Sequence, residues 1–277
     1  MSELILTPLG TVSPYPKGNK NCPGYLVEYN NQKILLDCGN GSTSLMDFQK
    51  DLENLKVFIT HYHPDHWGDL TALIQAAFVY KKHGYIRNDI GIYLPKTEPV
   101  TEERTFGGDN RDDWGHTEYF DRDISELLLL KELAQNAPIK FEYYKGYETL
   151  NIGDSGIKVS ICETEHNVDA YAFKIATDTG TICYSGDTGF SNSIVRFAKD
   201  ADLFICESTF LRGQERYENN HLYAYEAGIM AKKANVKKLL LTHFWPEIDK
   251  EKYVEEAKTE FENTEALEEG NRLVLRR

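Results

Sequence analysis

The densest chemistry in the chain lies in Thr60-His61-Tyr62-His63-Pro64-Asp65-His66-Trp67-Gly68. Its three histidines and one carboxylate fall within six positions. Imidazole nitrogens and carboxylate oxygens are the donors that Zn2+, Mn2+ or Fe2+ accept. These side chains can surround one point if the backbone turns sharply instead of continuing as a helix, and Pro64 supports that turn. The preceding Leu55-Lys56-Val57-Phe58-Ile59-Thr60 is short, apolar and β-branched. That pattern predicts a buried strand with the cluster on the loop leaving its end, where α/β sheets place their chemistry.

Four local ligands, with others elsewhere, exceed a single tetrahedral sphere, so two ions are expected. The further candidates are His166 after Ser160-Ile161-Cys162-Glu163-Thr164, Asp187 after Thr181-Ile182-Cys183-Tyr184-Ser185-Gly186, and His243 after Leu239-Leu240-Leu241-Thr242. Each could alone be a hydrogen-bonded core or turn residue. Their shared position at strand ends makes convergence on one rim physically reasonable, and a bridging carboxylate such as Asp187 would offset the repulsion between two cations. Asp37, ending another strand, either starts a turn or orients a ligating histidine from behind.

The elements that must position these residues alternate along the chain. Strands are expected at Leu4 to Leu9, Gly24 to Tyr29 and Lys33 to Asp37, with Asn30-Asn31 as a hairpin turn. The polar link Gly10 to Pro23 reads as a loop over a site. Ser44 to Leu55 suits a short helix and turn, and Leu70 to His83 has apolar residues at helical spacing and stops at Gly84. A strand at Ile90 to Leu94 precedes 97–122, an aperiodic stretch read as an insertion or lid, and a helix at Ile124 to Ala137. The second half carries strands at Ile139 to Tyr144, Lys158 to Thr164, Tyr171 to Thr177, Thr181 to Ser185, Leu203 to Cys206, Lys238 to Thr242 and Arg272 to Leu275. Helices are expected there at Asn192 to Ala198, Leu222 to Ala234 and Asp249 to Glu262.

Composition narrows the partners. With 277 residues, 41% hydrophobic and 12% aromatic, the chain can bury a core, and one domain over 1–277 is expected. The start, Met1 to Leu6, lacks a basic n-region, and no apolar run approaches 18 residues, so a cytoplasmic protein without a membrane partner is expected. A formal net charge of -13 opposes binding of long nucleic acid, which needs a basic surface, while a small anion remains compatible with a local pair of cations. The five scattered cysteines form no C-x-x-C pair and read as buried small hydrophobes.

The H-x-H-x-D-H pattern at 61 to 66, followed in order by His166, Asp187 and His243, resembles the metallo-β-lactamase superfamily. The resemblance implies an α/β fold (α+β in some schemes), a four-layer αβ/βα sandwich of two mixed sheets. It also implies a ligand set: His61, His63 and His166 on one ion, Asp65, His66 and His243 on the other, and Asp187 bridging. Zinc is the family default, with manganese as the alternative.

Ala201-Asp202-Leu203-Phe204-Ile205-Cys206-Glu207-Ser208-Thr209-Phe210 and Asn220-His221-Leu222-Tyr223-Ala224 resemble the tRNase Z branch, including its small cyclic-nucleotide phosphodiesterases of anti-Pycsar type. There a Glu-His pair assists phosphodiester cleavage, which makes Glu207 and His221 catalytic candidates beside Asp65, against a reading as a buried acid and a helix cap. Only 20 residues separate His166 from Asp187 (187 - 166 - 1), too few for the long arm with which tRNase Z grips tRNA. The resemblance therefore implies a small phosphodiester substrate, in particular nucleoside 3',5'-cyclic monophosphates, and a homodimer. The location implied is the cytoplasm, the host's for a phage protein. A tRNase Z-like RNA endonuclease and a lactone or thioester hydrolase are the alternatives. His116, Phe210 and Trp245 are weaker substrate-binding candidates: His116 reads as an exposed loop residue or a lid residue, and the two aromatics as base-stacking or packing side chains.

Overall fold

Asn30 and Asn31 take positive φ angles of 46° and 61°, the left-handed pair that joins two twisted strands through a two-residue hairpin. In the computed structural model, which describes residues 2–96, 133–216 and 219–277, that hairpin links the second and third strands of a seven-stranded sheet. The sheet comprises β1 (Glu3–Gly10), β2 (Gly24–Tyr29), β3 (Gln32–Leu36), β4 (Leu55–Phe58), β5 (Ile90–Pro95) and β6 (Ile139–Tyr144) in order, with β14 (Leu273–Arg276) outside β1. A second seven-stranded sheet holds β7 (Thr149–Asn151), β8 (Lys158–Glu163), β9 (Tyr171–Ala176), β10 (Thr181–Tyr184), β11 (Leu203–Glu207), β12 (Lys238–Thr242) and β13 (Thr264–Ala266), also in order.

Both sheets follow one pairing scheme. From β14 to β6, and again from β7 to β13, three antiparallel pairings are followed by three parallel ones. The scheme makes β3 the counterpart of β10 and β4 the counterpart of β11. No sequence repeat announces this symmetry.

Alternation along the strands builds the layers. Leu4, Leu6, Ile34, Leu36 and Phe58 of the first sheet meet Phe173, Ile175, Tyr184, Ile205 and Leu240 of the second in a buried middle layer. The intervening Leu35, Val57 and Ile92 face outward onto α3 (Leu70–Lys82), which buries Leu70, Leu73, Ile74 and Ala77. On the opposite flank, Phe204, Cys206, Leu239 and Leu241 pack under α4 (Asn192–Phe197), α5 (Ala224–Ala234) and α6 (Lys250–Lys258). Central strands are thus buried on both faces, which is why they read as continuous apolar runs. The result is the four-layer α/β sandwich with two mixed sheets.

Some elements differ from expectation. Ser44 to Leu55 carries the expected short helix and turn, as the one-turn α1 (Phe48–Asp51) before β4, but a 3-10 turn (Ser42–Leu45) precedes it that was not expected. Within that turn Thr43 gives both its backbone N–H and its hydroxyl to Asp69 Oδ2, at 3.0 and 2.7 Å. The turn at Pro64 opens a four-residue helix, α2 (Pro64–Trp67), with His63 as its N-cap. The short strands β7 and β13 were not anticipated. The insertion or lid at 97–122, His116 within it, and most of the helix expected at 124–137 lie outside the described residues. All five cysteines are buried and free. No helix among the described residues is long and apolar enough to cross a membrane.

Candidate metal centre and acid pair

The carboxyl ends of β3, β4, β8, β10, β11 and β12 open onto one rim; β11 ends on Glu207, and each of the others is followed by a side chain of the expected set. After β4, the chain passes through His61 and His63 into α2, which carries Asp65 and His66. This loop packs tightly on the turn after β3: a Cβ at Gly39 would stand 2.0 Å from the Asp65 carbonyl oxygen, so only glycine fits there. His243, just past β12, has φ of 63°, a left-handed conformation uncommon for a residue with a side chain. Such strain is held by surrounding structure and clusters at functional sites.

The side chains gather into two adjoining groups. Ligand atoms of His61, His63, His166 and Asp187 lie within 4.8 Å of one another, as do those of Asp65, His66 and His243. Asp187 Oδ2 stands between them, 3.6 Å from His61 Nε2, 3.4 Å from His66 Nε2 and 3.1 Å from His243 Nε2. Asp65 Oδ2 is 3.6 Å from His66 Nε2 and 3.8 Å from His243 Nε2. The structure thus brings all seven sequence-predicted ligands together.

Hydrogen bonds from behind decide which ring nitrogen faces the centre. His66 Nδ1 lies 2.7 Å from Asp37 Oδ2, His166 Nδ1 2.9 Å from the Asn220 carbonyl, His61 Nδ1 2.9 Å from Thr60 Oγ1 and His243 Nδ1 2.8 Å from Thr209 Oγ1. Each therefore turns Nε2 inward, as backing groups of metal-bound histidines do. Asp37 is the orienting carboxylate, not merely a turn former; it also accepts from Thr60 N at 2.8 Å and Tyr184 OH at 2.8 Å.

The donor set fits divalent cations. Buried His66 Nε2, His243 Nε2 and Asp187 Oδ1 have no hydrogen-bond partner among the described residues. His63 Nδ1 approaches His61 Nε2 at 2.9 Å and His166 Nε2 at 3.2 Å, a crowding of imidazole nitrogens that a shared cation would satisfy. Burial, reinforced by neighbouring imidazoles, pushes His61 and His63 well below the ordinary histidine range and His166 down to about 4, keeping their lone pairs available. At His66 burial also disfavours charge, but Asp187, Asp65 and Asp37 outweigh it and favour the cationic ring. Burial would raise the Asp187 carboxyl, and His243 and His66 instead hold it well below the usual range.

Beside this cluster stands the expected pair. Glu207 Oε1 lies 2.8 Å from His221 Nδ1, and His221 Nδ1 lies 4.0 Å from Asp187 Oδ2. Glu207 also accepts backbone N–H groups of Thr188, Thr209 and Leu222, and donors of this number hold a carboxylate ionised. Phe210 is half-buried with its ring 6.3 Å from that of His221, while Trp245 is exposed two residues past His243.

Sequence reasoning overlooked Ser13 and Thr209. Ser13 comes from the link Gly10 to Pro23, which runs over the site: Val12 bridges to Phe244, and Ser13 Oγ donates to Asp65 Oδ2 at 2.6 Å. Hydroxyl residues are too common for type alone to single these two out.

The arrangement matches known proteins. A family model described as "Beta-lactamase superfamily domain" covers residues 32–244. The chain belongs to the metallo-β-lactamase superfamily. This superfamily member is 29% identical over 239 residues to the probable metallo-hydrolase YhfI of Bacillus subtilis, covering 86% of each chain. The YhfI crystal structure superposes with a TM-score of 0.80 at 25% identity, over 98% of this chain and 99% of that one. Ribonuclease Z of Archaeoglobus fulgidus is 26% identical over 306 residues, 94% of each chain. The short form of human tRNase Z, at 19% identity, shares the fold with a TM-score of 0.69 over 99% of this chain and 100% of that one. The protein is a metallo-hydrolase, with a His/Asp cluster able to hold metal ions.

Proposed function

We propose that this metallo-hydrolase is a dinuclear-metal phosphodiesterase that opens nucleoside 3',5'-cyclic monophosphates to 5'-monophosphates. The observation that carries this reading is the Glu207–His221 pair at 2.8 Å beside the ligand cluster. His61, His63 and His166 would hold one ion and Asp65, His66 and His243 the other, with Asp187 between. Two divalent ions, zinc by family default or manganese, supply Lewis acidity, making hydroxide available near neutral pH and neutralising phosphate oxygens.

The protein's own groups carry the protons. Asp65, held by Ser13, orients the attacking water or accepts its proton. As the new O–P bond forms and the P–O3' bond breaks, the departing ribose oxygen takes a proton from His221. Nδ1 of that ring donates to Glu207, which leaves Nε2 as the proton-delivering nitrogen. Phe210 and Trp245 are candidates to stack on the base.

A small substrate is favoured by the net charge of -13 and by the stretch from His166 to Asp187, which the β9–β10 hairpin fills. A second reading, an RNA endonuclease of tRNase Z type, is favoured by the likeness to a ribonuclease Z over 94% of both chains. Lactone or thioester hydrolysis on the same centre is the third; the acid pair argues against it, being the feature shared with the phosphodiesterase branch. We expect a cytoplasmic homodimer. The deciding experiment is turnover of cyclic AMP, GMP, CMP and UMP beside a lactone and a tRNA precursor, with Zn2+ or Mn2+ added. Inert cyclic nucleotides together with robust tRNA cleavage would replace the first reading by the second.

A further inference from the structure

The hydroxyl of Thr209 stands where the acid pair and the ligand cluster meet. Oγ1 is 2.9 Å from Glu207 Oε2, 2.8 Å from His243 Nδ1 and 3.3 Å from His221 Nδ1. A hydroxyl carries one proton and two lone pairs, and an ionised carboxylate can only accept. The Thr209 proton is therefore committed to Glu207. It follows that the short contact to His243 must run the other way, with His243 Nδ1–H donating to the hydroxyl oxygen.

That direction has a chemical consequence. With Nδ1 turned to Thr209 as the donor, Nε2 is left as the nitrogen that a cation would take, 3.1 Å from Asp187 Oδ2 and 3.8 Å from Asp65 Oδ2. Every proton in the chain of contacts is then placed: His243 Nδ1–H to Thr209, Thr209 O–H to Glu207, and His221 Nδ1–H to Glu207. We infer that Thr209 is a positioning residue that fixes His243 in its metal-binding tautomer and ties that ligand to the carboxylate holding the proposed leaving-group acid. This rests on the two-ion reading above and extends it: occupancy at the Asp65, His66 and His243 group and placement of His221 are linked through one hydroxyl.

The two ends of the link are unequal. Glu207 retains four other donors without the hydroxyl: the N–H groups of Thr188, Thr209 and Leu222, and His221 Nδ1. For His243 Nδ1, Thr209 Oγ1 is the hydrogen-bond partner, and Thr209→Val would set a methyl group against a buried ring N–H. The larger loss therefore falls on the ligand, and the ring, freed from one tautomer, would bind its ion less well.

The test compares wild type, Thr209→Val and Thr209→Ser by zinc titration against a chromophoric chelator, with circular dichroism and thermal unfolding to verify folding. Wild type should bind two ions per chain; fewer would sink the two-ion reading itself, independently of Thr209. Loss of a backing hydrogen bond typically weakens metal binding by about 10–100-fold. Thr209→Val should show that loss at one of the two ions and retain the other, and Thr209→Ser should restore it. Equal weakening of both ions, unchanged affinity in Thr209→Val, or failure of Thr209→Ser to rescue would each overturn the assignment. As a second readout, His243→Ala should lose the same ion, and adding Thr209→Val to it should weaken metal binding no further. Additive losses would mean that Thr209 does not act through His243.

Discussion

Asp37 Oδ2 sits 2.7 Å from His66 Nδ1, joining the end of β3 to the helix that follows β4. The same carboxylate takes Thr60 N, Thr60 Oγ1 and Tyr184 OH, so four donors from both sheets close on one fully buried side chain. Its φ of 57° is left-handed, a conformation Asn also tolerates. Asp37→Asn should therefore keep the backbone while reducing the acceptors, weakening metal affinity by about 10–100-fold. Zinc competition titration checks this; unaltered affinity would show that His66 needs no orienting partner.

Asp187 is expected to matter more than any single histidine, because one of its oxygens approaches three inward-facing imidazole nitrogens. Asp187→Ala should lose at least one bound ion and hydrolytic activity together. Elemental analysis of the purified variant is the measurement, and retention of two ions per chain would reject the bridging role.

His221→Ala should lower kcat by about 100- to 10,000-fold, the usual worth of positioned proton transfer, while two ions stay bound. Emptied metal sites would instead make His221 structural.

The pH dependence follows from the same pair. Burial pushes His221 down, but the Glu207 carboxylate outweighs it and carries the ring from 6.5 up to about 9. A raised value means that the proton-bearing form dominates below it and is lost as pH rises through it. The wild-type rate should accordingly fall on a basic limb at or below about pH 9, since nearby cations would only lower that value. Glu207→Gln should move the limb to lower pH. A limb that stays put in Glu207→Gln would remove His221 as its source.

Leu240, buried between the sheets, tests the middle layer. Leu240→Ala should cost about 2–5 kcal/mol of unfolding free energy. Val274→Ala, on the exposed side of β14, should stay within about 0.5 kcal/mol. Urea denaturation midpoints separate the two, and equal shifts would contradict the layer assignment.

The donor cluster at 61 to 66 was legible because metal chemistry restricts residue types and because covalent spacing already brings those side chains close. His166, Asp187 and His243 could be picked out because each follows an apolar, β-branched run, and strands buried on both faces leave that mark. The short helix within 44–55 was legible too, whereas the 3-10 turn at Ser42–Leu45 was not, since the bond from Thr43 to Asp69 is invisible in local pattern. Asp37 stayed ambiguous until folding set it against His66, 29 positions away. Ser13 and Thr209 carried no signal, since their meaning lies in which carboxylate or ring each hydroxyl touches. Residue type and spacing thus fixed the identity of the donors at His61 to His66, while the tautomer and aim of each ring came from partners delivered by distant strands, whose register is set by core packing and not by neighbours along the chain.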